Sequence, residues 1–129
     1  MFEPKIEIPD PADYGVTPVR SFTTRIAGVS KRNSDGTKRQ DILGRCKEGE
    51  RLLLLREPEN RYDPDAIAVF RASREQVGYV PGDVAFRLSQ QMDSGLTAMA
   101  EIVEIRGGTR KKPTLGCAIE IQLFKAGDE

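Results

Sequence analysis

Arg51-Leu52-Leu53-Leu54-Leu55-Arg56-Glu57-Pro58-Glu59-Asn60-Arg61-Tyr62-Asp63-Pro64-Asp65-Ala66-Ile67-Ala68-Val69-Phe70-Arg71 is the stretch on which the reading of this chain turns. A continuous apolar run as short as Leu52–Leu55, ended by Pro58, suits a strand over Arg51–Arg56 that is buried on both sides. Ala66–Arg71 reads as a second strand, with Ile67 and Val69 facing one way. Ala72–Glu75 then turns the chain, and Gln76–Val80 returns as the hairpin partner. The segment between the first two strands is longer than a plain connection requires. It sets Asn60, Tyr62 and Asp63 in close order between Pro58 and Pro64. Prolines fix φ and reduce the entropy lost when a loop is ordered, so this composition suits a rigid corner that presents side chains.

Upstream, Ser21–Val29 is β-rich, with Phe22, Thr24 and Ile26 alternating against Thr23 and Arg25. A polar loop over Ser30–Gly36 ends in the turn pair Asp35-Gly36. Thr37-Lys38-Arg39-Gln40 has the form of a capping box. It predicts a short helix over 38–47, with Ile42, Leu43 and Cys46 on one face and Gly49 placed to stop it. Downstream, Asp83 is placed as the N-cap of a second helix. Its inner face would carry Val84, Ala85, Leu88 and Met92, and Asp93-Ser94-Gly95 would end it. Thr97–Arg106 and Leu115–Leu123 read as a long hairpin around the basic loop Gly107–Pro113, with Ile119, Ile121 and Leu123 alternating against Glu120 and Gln122. The sum is mainly β, a small and partly open antiparallel barrel of about six strands with two short helices. Residues 1–20 carry Pro4, Pro9, Pro11 and Pro18 and read as a tail or linker, with Lys5–Ile8 as a candidate edge strand. A structured arm wrapped on the domain, which spans 21–125, is the alternative.

A chain of 129 residues fits one domain. Only 6% of it is aromatic and Trp is absent, so the position of each Tyr carries information. Twenty acidic residues balance twenty basic ones, and the net charge of +0 argues against a protein that coats nucleic acid by bulk electrostatics. A local basic face is compatible with it. Lys31, Arg32, Lys38, Arg39, Arg45, Lys47 and Arg51 outnumber Asp35, Asp41, Glu48 and Glu50, and Arg106, Arg110, Lys111 and Lys112 form a second cluster. The absence of His removes the commonest general base and metal ligand, and the usual partner of a Ser or Cys nucleophile. Cys46 and Cys117 make no CxxC pair and sit in apolar patterns, which predicts buried free thiols, no metal site and no cofactor. No disulfide is needed, which suits a reducing, cytoplasmic setting. The apolar runs are too short to span a membrane, and the acidic, proline-bearing Met1–Asp10 segment is wrong for a signal peptide. The expectation is a binding domain, not an enzyme.

Arg39-Gln40, then Arg56 through Val69, then Val77-Gly78-Tyr79-Val80-Pro81 strongly resemble the HIRAN domain, with compatible spacing from about Thr23 to Leu123. HIRAN domains occur at the N-terminus of eukaryotic DNA-damage-tolerance ATPases of the Swi/Snf type and as short free-standing bacterial or phage proteins. A chain of this length is similar to the free-standing kind. The resemblance implies a six-stranded OB-like barrel that binds single-stranded DNA and grips its free 3′-hydroxyl end, with replication or repair proteins as further partners. Carried onto this sequence, the implied binding residues are Arg39, Asn60, Tyr62, Asp63 and Tyr79. Tyr79 stands where the eukaryotic domain has His. Two departures weaken the match: a phosphate-contacting lysine falls near Gly82, and a second aromatic is replaced by Gln40.

The chemistry is coherent. A terminal 3′-hydroxyl donates a hydrogen bond, whereas an internal phosphate is an anion, so a carboxylate such as Asp63 accepts from the first and repels the second. Tyr62 and Tyr79 could stack terminal bases, Arg39 could hold a phosphate bidentately, and Asn60 has donors and acceptors for a base edge or the backbone. Plainer readings stand beside these. Asp63-Pro64 could simply cap a turn and Asn60 shape it, Tyr79 could be a barrel aromatic, and Arg39 a solvated helix residue. Arg110-Lys111-Lys112 could be a solvated hairpin tip. Two other functions compete: a protein-interaction adaptor, and a metal-dependent nuclease using Asp63, Asp65 and Glu57 or Glu59, for which no lysine or base completes the site.

Overall fold

The computed structural model of the chain describes residue 5 and residues 7–125. After a 3₁₀ turn at Pro11–Tyr14, the elements are β1 (Arg20–Arg25), α1 (Arg39–Leu43), β2 (Arg51–Arg56), β3 (Ile67–Arg71), β4 (Gln76–Tyr79), α2 (Gly82–Asp93), β5 (Thr97–Arg106) and β6 (Gly116–Phe124). The strands form one antiparallel six-stranded sheet in the order β1-β6-β5-β2-β3-β4. Its curl makes the expected small OB-like barrel, mainly β with two short helices.

Period-two alternation sets the register. Phe22 faces Ile121 and Thr24 faces Ile119, so the apolar faces of β1 and β6 coincide. Ile26, Leu52, Leu54, Ile67, Val69, Val77, Ile102, Ile119, Ile121 and Leu123 form the core, with Ile42, Leu43 and Leu88 supplied by the helices. Each fully buried aliphatic side chain contributes about 1.5–3 kcal/mol relative to exposure. Cys46 and Cys117 are buried and free, and burial pushes their thiols up to about 11 and about 12. Among the described residues, no helix is long and apolar enough to cross a membrane.

The barrel closes at a narrow seam. In mid-sheet, β2 and β5 pair at Arg51–Glu101 and Leu52–Ala100, a short ladder that the backbone bonds of Gly49 and Glu50 with Ile102 extend. At the seam, Ala27, just beyond β1, pairs with Tyr79 at the end of β4: each amide donates to the other's carbonyl, at 2.7 and 2.9 Å. Gly78 makes this approach possible. A Cβ there would lie 2.4 Å from the Ala27 carbonyl oxygen and 2.7 Å from Ile26 Cγ2.

Several local expectations are corrected. The leucine run is not buried on both sides: Leu52 and Leu54 point inward, while Leu55 is 47% exposed on the outer face of the antiparallel sheet. The capping box does not form. The Thr37 hydroxyl donates to Asp35 Oδ1 at 2.6 Å, and the Gln40 amide donates to the Val29 and Leu115 carbonyls, each at 3.0 Å. With both capping side chains engaged elsewhere, the helix is only Arg39–Leu43, and Cys46 lies in the turn after it. Asp83 is not an N-cap. Pro81 holds that position without a side-chain cap, and Asp83 sits in the first turn. Ala85, Leu88 and Ser89 are the buried residues of α2, with Val84 and Met92 partly covered.

Before β1 the chain lies on the domain. Ile8 is buried, and Arg51 donates to the Ile8 carbonyl at 3.1 Å and to Asp13 Oδ1 at 2.8 Å. Lys5, Glu7 and Ile8 are in no strand, and Ile6 lies outside the described residues.

Candidate nucleic-acid interface

The corner between β2 and β3 is built by its own side chains. Asn60 Oδ1 accepts from the amides of Tyr62 and Asp63, at 2.9 and 3.1 Å, which is the mechanism of an Asx turn. Its amide nitrogen donates to Glu57 Oε1 at 2.9 Å. Asp63 Oδ1 accepts from the Asp65 amide at 2.8 Å, and the Asp63 carbonyl accepts from the Ala66 amide at 3.1 Å. Arg56 holds the neck: Nη1 donates to the Pro64 and Ala66 carbonyls, at 3.1 and 3.0 Å, while Nε and Nη2 grip both oxygens of Asp93 at 3.0 Å. The Arg56 guanidinium beside Asp93 holds that carboxyl below its ordinary range. The result is a stiff corner that carries Tyr62 outward, 88% exposed.

Beside it lies a cleft of about 460 Å³. Arg39, Asn60, Tyr62, Asp63 and Tyr79 all line it, from three separate stretches of chain. Gly28, Lys31, Ala66, Val80 and the seam residue Ala27 also line it, as does Gly82. Gly82 is the first residue of α2, a helix that begins without a side-chain cap.

Tyr79 and Arg39 form the floor. The Tyr79 hydroxyl donates to Glu57 Oε1 at 2.9 Å, and the Arg39 guanidinium lies 5.4 Å from the centre of its ring. Arg39 is buried: Nε donates to Asn33 Oδ1 at 2.7 Å and Nη1 to the Gly28 carbonyl at 3.0 Å. Both acceptors are neutral, so the positive charge of Arg39 stays uncancelled beneath the cleft. Gly28 has φ of +73°, and a Cβ there would meet Arg39 Nη1 at 2.9 Å.

Glu57 is the residue sequence reasoning missed in this role. It entered only as a possible metal ligand, yet one of its oxygens receives both Asn60 and Tyr79 and so ties the corner to the barrel. A polar residue directly before Pro58 was the available signal. We expect Glu57→Ala to leave the Tyr79 hydroxyl and the Asn60 amide without their acceptor, at a cost of about 1–3 kcal/mol in stability. Glu57→Gln, which keeps an oxygen acceptor, should cost less; urea denaturation of the two variants measures the difference.

The carboxylates that a metal-dependent reaction would need do not converge. Asp65 Oδ1 accepts from Ser89 at 3.2 Å, and Glu57 is held by Tyr79 and Asn60. Among the described residues, no group of three His, Cys, Asp or Glu side chains could hold a metal ion. The basic tip Arg110–Lys112 does not line the cleft, although Gln40 fastens its base to the Arg39 segment through Leu115.

Comparison with known proteins bears on the fold and the family. The chain is 30% identical over 104 residues to the helicase-like transcription factor of Oryctolagus cuniculus, an alignment that covers 79% of this chain and 10% of that protein. The crystal structure of the HIRAN domain of human HLTF superposes with a TM-score of 0.62 at 19% identity, covering 82% of this chain and 76% of that one. A crystal structure of a Lactobacillus plantarum protein gives 0.62 at 20% identity, covering 81% and 97%. The chain spans about a tenth of the length of the curated relatives it matches. The HIRAN domain family itself matches residues 20–123, most of the chain, and the chain belongs to this family of nucleic-acid-binding modules.

Proposed function

We propose that this protein binds single-stranded DNA at a free 3′-hydroxyl end and catalyses no reaction on it. The observation that carries this reading is the placement of exposed Tyr62 and of Asp63 in one cleft with the buried, charged Arg39. The Tyr62 ring is free to stack on a terminal base. Asp63 has two oxygens, and accepting the Asp65 amide leaves acceptor capacity for a terminal hydroxyl. A strand that continued past this point would bring a phosphate against the same carboxylate. The positive floor attracts the strand; the carboxylate selects its end.

The test compares short single strands ending in a 3′-hydroxyl or a 3′-phosphate with a circular strand of matched length. A hydrogen bond to a charged group contributes roughly 1.5–3 kcal/mol. The 3′-phosphate strand and the circle are therefore expected to bind about tenfold or more weakly, and Asp63→Asn should narrow the gap by weakening binding to the 3′-hydroxyl strand. Equal affinity for all three strands would refute end recognition. A stable protein partner recovered with no oligonucleotide binding at low salt would support the adaptor reading instead.

A further inference from the structure

We propose that Lys31 is the side chain that pairs with a backbone phosphate of the bound strand, and that Arg39 acts on the ligand chiefly as the residue that positions it. The inference rests on the nucleic-acid reading above and deepens it. Arg39 is 7% exposed and spends two guanidinium nitrogens on Asn33 and Gly28. With Nε–H donated to Asn33, the Nε edge is closed to a bidentate phosphate, and a side chain this buried offers a ligand little of its remaining N–H groups. Lys31 lines the same cleft but is exposed, and among the described residues no ion pair or side-chain hydrogen bond engages its ammonium. Among the described residues it is a charge with nothing to neutralise, in the same cleft as the Asp63 side chain.

The backbone around Lys31 is fixed by the same groups that hold Arg39. The Lys31 amide donates to the Gly28 carbonyl at 3.1 Å, the oxygen that also accepts from Arg39 Nη1. The Arg39 amide in turn donates to the Lys31 carbonyl at 3.2 Å. Arg39 thus clamps both ends of the Gly28–Lys31 turn. Its buried guanidinium supplies the field, and Lys31 supplies the mobile ammonium that can follow a phosphate. Gly82, on the same wall, offers no side chain to share that task.

Counterion release gives a direct measure. Each phosphate neutralised on a single strand contributes about 0.7 to the slope of log affinity against log salt, or roughly threefold in affinity between 50 and 200 mM. Lys31→Gln should lower the slope by about that amount and keep the preference for a 3′-hydroxyl over a 3′-phosphate. Lys31→Arg should restore the slope. Lys31→Gln with an unchanged slope would overturn the proposal, as would equal losses in the Gln and Arg variants. A slope that falls instead in a Lys111→Gln, Lys112→Gln variant would move the phosphate contact to the hairpin tip and overturn it too. A wild-type chain with no affinity for single strands would fail the underlying function, whereas 3′-end preference with an unchanged Lys31→Gln slope would fail this assignment alone.

Discussion

Gly78→Ala is expected to destabilise the domain by about 3 kcal/mol or more, beyond the usual range for a single added methyl. The obstacle is space. The new methyl would lie 2.4 Å from a backbone carbonyl oxygen, which cannot rotate away as a flexible side chain can. That oxygen belongs to Ala27, which closes the barrel against Tyr79, so relief of the clash requires parting the seam. For a domain of this size the loss corresponds to a fall in Tm of about 10 °C, readable by calorimetry. Gly82→Ala is the control: a Cβ there meets nothing within 4 Å, and its stability should stay within about 0.5 kcal/mol of wild type. Because Ala27, Tyr79 and Val80 also line the cleft, Gly78→Ala should weaken oligonucleotide binding along with the fold. An unchanged Tm would show that closure is not made at this pair.

Tyr62→Ala carries the largest expected effect on binding. Stacking of a base on an aromatic ring contributes roughly 1–3 kcal/mol, so affinity for a short 3′-hydroxyl strand should fall between about fivefold and a hundredfold. Tyr62→Phe, which keeps the ring face, should bind nearly as wild type. Since Tyr62 is 88% exposed, with the Arg61 guanidinium 5.8 Å from its ring centre, neither change should alter stability appreciably. Fluorescence anisotropy with a labelled strand distinguishes the variants. Full affinity in Tyr62→Ala would remove stacking from the account.

Much of the fold was legible because sheets write their burial into alternate residues. Phe22, Thr24 and Ile26 on one side, and Ile119, Ile121 and Leu123 on the other, announce faces that the structure does bring together. The seam between Ala27 and Tyr79 was not legible. It joins distant positions through main-chain atoms alone, and neither residue carries a local pattern that marks it. The supposed capping box shows the complementary failure. Thr37 and Gln40 have the right chemistry for a helix start, but Asp35 and the Val29 and Leu115 backbone offered partners that a local motif could not foresee. At the cleft, the proline-bracketed corner advertised itself by composition. The place of Lys31 in the wall became visible only once Gly28 and Arg39 were brought beside it.

The shared oxygen of Glu57 binds three scattered positions into one heritable set. A descendant that traded Tyr79 for phenylalanine would leave that oxygen to Asn60 alone and untie the corner from the barrel, and one that shortened Glu57 to aspartate would pull the acceptor away from two donors at once. A histidine at position 79 brings its own N–H and could keep the same oxygen occupied. Lineages carrying this barrel should therefore change positions 57, 60 and 79 in concert, while Glu59, whose side chain enters none of these bonds, drifts without consequence.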